Sequence, residues 1–186
     1  MKGSELLEKM EICPVIAAVH EDRFEDALAS PSEIIFLLEG SVMTLGERIR
    51  RTHERGKRIL IHLDLVKGIG KDRQGVEFVL SLGADGIIST RAALIKSARE
   101  LGLLAIQRCF ALDSQGLGSI KEMIEVAKPD FIEIMPGVIE KVICAFSSEK
   151  TPVIAGGLIE TKAEVLAALR HGAVAVSTGK KELWSL

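Results

Sequence analysis

His62 and Asp64 stand two residues apart at the end of the apolar run that begins at Arg58, so on an extended strand they share a face away from Ile61, Leu63 and Leu65. An imidazole beside a carboxylate can move a proton or hold a ligand group; a hydrogen-bonded core histidine does neither. Other apolar runs close on Ser89-Thr90-Arg91, on Gln107-Arg108 and on Glu133 ahead of Met135-Pro136-Gly137. Glu133 lies in an otherwise apolar stretch, where a carboxylate is costly to bury unless paired. Either it takes a structural partner among Lys67, Arg91 and Arg108, or it is kept for catalysis.

Two later runs end in Ala155-Gly156-Gly157 and Ser177-Thr178-Gly179-Lys180. Glycine lets backbone approach a ligand closely, and free N–H groups at a following helix start favour an anion. The pattern points to a phosphate cradle; its alternative is a pair of tight turns without a ligand. Barrels that decarboxylate phosphates alternate Asp and Lys tightly, whereas here Lys67 follows Asp64 at a longer interval. That spacing counts against enzyme chemistry.

Those groups need a scaffold that brings the run ends together. Apolar runs at 14–19, 33–38, 58–66, 86–90, 103–110, 131–135, 152–155 and 173–178 read as strands. Charged stretches at 44–55, 91–101, 119–127 and 161–170 have helical spacing and often close on glycine, as at Gly56, Gly102 and Gly172. Repeated βα units with nearly continuous Ile/Val/Leu strands imply a parallel sheet covered by helices. An open doubly wound sheet would carry a Gly-rich fingerprint after its first strand, and none follows Val19. The expected fold is a compact TIM-like (β/α)8 barrel, one domain over residues 1–186, although such barrels usually need roughly 250 residues. Leu82–Thr90 and His171–Thr178 echo each other four strands apart, as two similar half-barrels would; Gly-Ala before a strand is also common in any βα protein. In such a barrel the C-terminal strand ends gather at one mouth, which predicts a polar ring there.

With Lys+Arg 24 against Asp+Glu 26 and a net charge of −2, the chain lacks a broad basic surface for nucleic acid. Tyr is absent and Trp184 is the single Trp, so a stacking platform for single strands lacks material. Cys13, Cys109 and Cys144 show no metal-ligand spacing, and are expected to be small core residues of a cytoplasmic protein. The first apolar run, Ile12–Val19, is too short for a bilayer span of about 20 residues. Between Arg48 and Arg58 lies a local basic feature in which Arg48, Arg51 and Arg55 share one helical face. A solvated outer helix face and an RNA backbone patch both fit it. Gly68–Gly75, carrying Lys71, Asp72 and Arg73, reads as a mobile lid or as an ordinary exposed loop.

Taken in order, His62-Leu-Asp-Leu-Val-Lys-Gly-Ile69, Gly86-Ile-Ile-Ser-Thr-Arg91, Ala105-Ile-Gln-Arg108, Pro129-Asp-Phe-Ile-Glu-Ile-Met-Pro-Gly137, Ile154-Ala-Gly-Gly-Leu158, Ala173-Val-Ala-Val-Ser-Thr178 and Leu183-Trp184 resemble the glycerol uptake operon antiterminator family. The likeness runs over nearly the whole chain. It implies a cytoplasmic protein that senses glycerol 3-phosphate as its effector, with no cofactor, no metal and no reaction. When loaded, such a protein acts on the leader mRNA of glycerol uptake and metabolism genes so that polymerase reads through a terminator. Gly156, Gly157, Ser177, Thr178 and Gly179 would hold the phosphate, and His62, Asp64, Lys67, Arg91, Arg108 and Glu133 would face the hydroxyls. Arg48, Arg51 and Arg55 would meet RNA, and self-association stays open. The second function class is a small phosphate-sugar lyase or isomerase using Asp64, Lys67 and Glu133; ligand binding without turnover separates the two.

Overall fold

The computed structural model describes residues 3–186, apart from the side chains of Ser114 and Gln115; Met1 and Lys2 of the expected 1–186 domain lie outside the described residues. Eight parallel strands close into a barrel in chain order: β1 (Val15–Val19), β2 (Ile34–Leu37), β3 (Arg58–His62), β4 (Gly86–Ser89), β5 (Leu104–Phe110), β6 (Phe131–Met135), β7 (Val153–Gly156) and β8 (Ala175–Thr178), which pairs back onto β1. Helix α1 (Gly3–Ile12) precedes β1. Helices α2 (Phe24–Ala29), α3 (Val42–Glu54), α4 (Arg73–Ser81), α5 (Ala92–Glu100), α6 (Ser114–Ala127), α7 (Glu140–Ser147) and α8 (Lys162–Arg170) follow β1 to β7 in turn, and a 3-10 turn at Lys181–Leu183 follows β8. This is the expected TIM-like (β/α)8 fold. None of the described helices is long and apolar enough to cross a membrane.

Strand alternation divides the core in two. Ile16, Ile34, Phe36, Leu60, Ile88, Leu104, Ile106, Phe131 and Ile154 pack inside the barrel, while Val15, Ile35, Ile59, Ile87, Ile132 and Val153 face the helices. Leu6 and Met10, one helical turn apart on α1, are fully buried in the inner cluster. They give α1 an anchoring face that the short run of charges around it hid from the sequence. Asp72 and Asp113 cap α4 and α6 by accepting from the Gly75 and Gly116 amides, and Thr161 with Glu164 forms a capping box on α8.

Three expectations need correction. The third run is not one strand to Val66: β3 stops at His62 and Leu63–Leu65 turns as a 3-10 helix, after which Val66–Lys67 pairs with Gly40–Ser41 in a separate small sheet. Cys144 is exposed rather than a core residue, because the buried face of α7 is formed by Val142, Ile143 and Phe146; Cys109 is buried and Cys13 half-buried. The helix expected from Ser119 begins at Ser114, where Asp113 supplies its cap.

Candidate functional site

The mouth of the barrel holds a cavity of about 400 Å³, lined from β1 by Ala18 and from the turn after it by His20 and Arg23, from β5 and β6 by Arg108, Glu133 and Met135, and from the ends of β7 and β8 by Gly157 to Glu160 and Ser177 to Lys180. Its floor is a buried ion pair. The Arg108 Nε donates to Glu133 Oε2 at 2.6 Å, and the Ser177 hydroxyl donates to Glu133 Oε1 at 2.6 Å. Arg108 and Glu133 are opposite each other in the β5–β6 register, and both point inward by strand alternation. Of the partners open to Glu133 in the sequence, the structure selects Arg108. Gly156 lies against this floor: a Cβ there would fall 2.6 Å from Ser177 Oγ and 2.7 Å from Glu133 Oε1. Glycine is required to let the network close.

The β8 turn is tied down by its oxygen atoms. Thr178 donates its hydroxyl to the Ile159 carbonyl at 2.7 Å, the Trp184 indole N–H donates to the Thr178 carbonyl at 2.8 Å, and Arg23 donates to the Gly179 carbonyl at 2.8 Å. Arg23 also stacks over the buried Trp184 ring at 5.5 Å. At the β7 end Gly157 and Leu158 both take positive φ, +75° and +60°. Among the described residues, the amides of Leu158 and Gly179 donate to no protein acceptor, whereas the Gly157 amide belongs to the β7–β8 ladder that pairs Gly156 with Ser177. Free backbone donors at the ends of two adjacent strands are the material of an anion cradle.

The polar ring is therefore split. Gly157, Ser177, Thr178, Gly179, Arg108 and Glu133 line the cavity with Gly156 beneath them, whereas His62, Asp64, Lys67 and Arg91 do not line it. Asp64 accepts from the Ser89 hydroxyl at 2.9 Å and from the Thr90 amide at 2.7 Å, and Arg91 lies 3.5 Å away. His62, nearly buried, is 3.5 Å from Asp64 Oδ2 through Nε2 and 3.3 Å from the Leu38 carbonyl through Nδ1. The two meet as expected, but through the 3-10 turn rather than along a continuous strand. Lys67 is exposed in the small sheet. Gly68, Ile69, Gly70, Asp72, Gln74 and Gly75 line a separate groove beside Val42 and Phe78, and the Lys71 ammonium donates to the Leu63 and Val66 carbonyls. The segment weighed as a lid is fastened away from the cavity.

Burial alone would raise the Asp64 carboxyl, but the neighbouring His62 imidazole and hydrogen bonds from Thr90 and Ser89 outweigh it and hold the group well below the usual carboxylate range. A depressed carboxyl stabilises the fold above its unfolded range, near 3.9, and that stabilisation is lost as pH falls. Asp64→Asn is expected to cost about 1–3 kcal/mol near neutral pH, with the deficit shrinking below about pH 4. Urea denaturation across that range checks it; a deficit that ignores pH would mean that packing, not charge, was lost. Burial followed by the charge of Glu133 pushes the Cys109 thiol up to about 12, which removes it as a nucleophile.

Arg48 and Arg51 of the basic helix both donate to Glu25 on α2, Arg51 with two bonds of 2.7 Å, and both lie over the Phe24 ring. Arg55 stands exposed just beyond the end of α3. His20, Arg23 and Glu160 at the cavity wall carried no motif that singled them out in the sequence, and Lys180 closed the Ser177–Lys180 run without being given a role. Lys180 and Glu160 are paired at 3.2 Å, and only their positions beside the strand-end glycines could have drawn attention to them.

A family model described as glycerol-3-phosphate responsive antiterminator matches residues 15–184. The Escherichia coli (strain K12) protein YgcP, described as uncharacterized, is 36% identical over 185 residues, which are 97% of this chain and 96% of that one. Two solved structures are similar throughout. A glycerol uptake operon antiterminator regulatory protein from Listeria monocytogenes has a TM-score of 0.87 and 36% identity, covering 91% of this chain and 94% of its own. A glycerol uptake operon antiterminator-related protein from Thermotoga maritima has a TM-score of 0.83 and 32% identity, covering 92% and 98%.

Proposed function

Because the chain belongs to the glycerol-3-phosphate responsive antiterminator family, we propose that the mouth cavity binds glycerol 3-phosphate and that the loaded protein acts on the leader mRNA of glycerol genes in the cytoplasm. The observation that carries the ligand assignment is the pair of unpartnered amides at Leu158 and Gly179 on the wall of a cavity floored by Arg108. They suit a phosphate, because hydrogen bonds to a charged acceptor are about twice as strong as neutral ones. Ser177 and Thr178 hold the β8 side of this cradle in shape. His62, Asp64 and Arg91 brace the neighbouring strand ends rather than touch the ligand, and Lys67 lies further out.

The protein is a sensor and not an enzyme on this proposal. A lyase or isomerase would need Asp64, Lys67 and Glu133 around one substrate, yet of these only Glu133 lines the cavity, tied to Arg108 and Ser177. Leader RNA would be met by Arg55 and, once their bonds to Glu25 open, by Arg48 and Arg51. The effector supplies differential binding between free and RNA-bound states, so each ligand must tighten the other by the same factor.

Calorimetric titration with glycerol 3-phosphate, repeated with and without leader RNA, tests both halves. Saturable binding is expected with no product detectable by NMR, together with an equal reciprocal gain in RNA affinity. Charge reversal at Arg48, Arg51 or Arg55 should lower the salt slope of RNA binding by about one unit for each RNA phosphate left unneutralised. Turnover of the ligand, or RNA binding indifferent to it, would overturn the corresponding half.

A further inference from the structure

The floor of the cavity has donors to spare and no spare charge. A guanidinium carries five N–H donors. Arg108 is 8% exposed and spends its Nε on Glu133, and among the described residues its two terminal amino nitrogens have no hydrogen-bond partner. Unlike the unpartnered Nε atoms of Arg48 and Arg58, they are not sealed from the cavity that Arg108 lines. Donors facing a cavity in this way offer bonds to an acceptor on whatever enters.

The charge of Arg108 is already matched. Glu133 is 1% exposed, and each of its oxygens accepts one short bond, from Arg108 and from Ser177. The other cations on the cavity wall are also occupied: Lys180 pairs with Glu160 at 3.2 Å, and Arg23 donates to the Gly179 carbonyl and lies 3.5 Å from Asp26. A hydroxyl group entering this floor accepts from Arg108 and adds no charge. A carboxylate accepts the same bonds, but brings a second anion beside Glu133 with no further cation to balance it, and burying an unmatched charge is costly.

We infer that Glu133 sets the ligand class: the floor selects the neutral, hydroxylated end of a phosphorylated polyol and rejects the carboxylate end of the corresponding phosphorylated hydroxy acid. This rests on the proposed seating of the phosphate at the β7 and β8 ends, which leaves the other end of a three-carbon ligand over Arg108. Glu133 is thus a specificity-determining residue that acts through the charge it gives Arg108. A merely structural role would move affinity for every ligand alike.

The test compares glycerol 3-phosphate with 3-phosphoglycerate by calorimetry, on wild type and on Glu133→Gln. The amide keeps an oxygen for Arg108 Nε, turns the Ser177 hydroxyl from donor to acceptor, and removes the charge. Wild type should prefer glycerol 3-phosphate by at least about tenfold, and Glu133→Gln should narrow that preference at least about tenfold by binding 3-phosphoglycerate more tightly than wild type does. If wild type binds glycerol 3-phosphate but Glu133→Gln leaves the ratio unchanged, the inference falls and the proposed function stands. If Glu133→Gln tightens both ligands and inorganic phosphate equally, the phosphate rests on Arg108 and the inference falls. The wild-type preference needs no variant: equal or tighter binding of 3-phosphoglycerate overturns the inference even if Glu133→Gln fails to fold. Wild type that binds neither ligand overturns the inference and the proposed function together.

Discussion

Arg108→Met is expected to lower the free energy of unfolding by about 3–5 kcal/mol and to abolish glycerol 3-phosphate binding. Met matches much of the arginine stem but strands Glu133, 1% exposed, with the Ser177 hydroxyl as its remaining partner among the described residues. The loss comes from an uncompensated buried charge and not from the small change in packing. Adding Glu133→Met removes that charge, so the double variant should recover most of the stability, because a buried ion pair and an apolar replacement of similar volume are often near equal. Binding should stay absent, since the donors are gone. Urea unfolding of the two single variants, the double variant and wild type closes the cycle. A single variant within about 1 kcal/mol of wild type would mean that Glu133 reaches water.

Gly157→Val is expected to weaken glycerol 3-phosphate binding by at least about a hundredfold, the equivalent of losing one or two charge-assisted hydrogen bonds. Gly157 has φ +75°, and a Cβ there would fall 2.7 Å from the Met135 Cε atom. The thioether end can swing aside, so the fold survives, but the displaced Met135 and the new side chain occupy the cavity they both line. The left-handed conformation adds about 1–2 kcal/mol of backbone strain for a branched residue. Gly102 separates the two effects. It has φ +74° at the end of α5, with no other atom within 4 Å of a Cβ there. Gly102→Val should therefore show comparable backbone strain with unchanged affinity. If both variants bind normally, the β7 end takes no part in holding the ligand.

Some of the site was legible in advance because it depends only on local pattern. Apolar runs placed Arg108 and Glu133 on strands, and glycines marked the β7 and β8 ends. The echo between β4 and β8 misled in one respect. Aligning Gly83-Ala84 with Gly172-Ala173 sets Ile88 opposite Ser177, one residue out of step with the repeated Ser-Thr pair. A one-residue shift turns a strand side chain to the other face, so Ser177, in step with the inward Ala175, donates to Glu133 inside the barrel, while Ser89, in step with the outward Ile87, donates to Asp64. The basic helix shows a different limit. Its charges were visible, but Glu25, which engages Arg48 and Arg51, lies 23 and 26 residues earlier on another helix.

By itself the sequence determined the barrel, the order of its strands and the positions of its polar strand ends, because periodicity and chain order are local properties that a parallel closed sheet converts directly into architecture. Only the tertiary structure decided which of those polar ends meet. Closure sets Arg108 and Glu133 side by side in one register and brings Ser177 onto the same carboxylate from across β7, while the 3-10 turn after His62 keeps Asp64 with Ser89 and Thr90 and leaves Lys67 exposed. Pairing across a barrel depends on the stagger between strands and on where each strand stops, and neither quantity is written in the residues of any one strand.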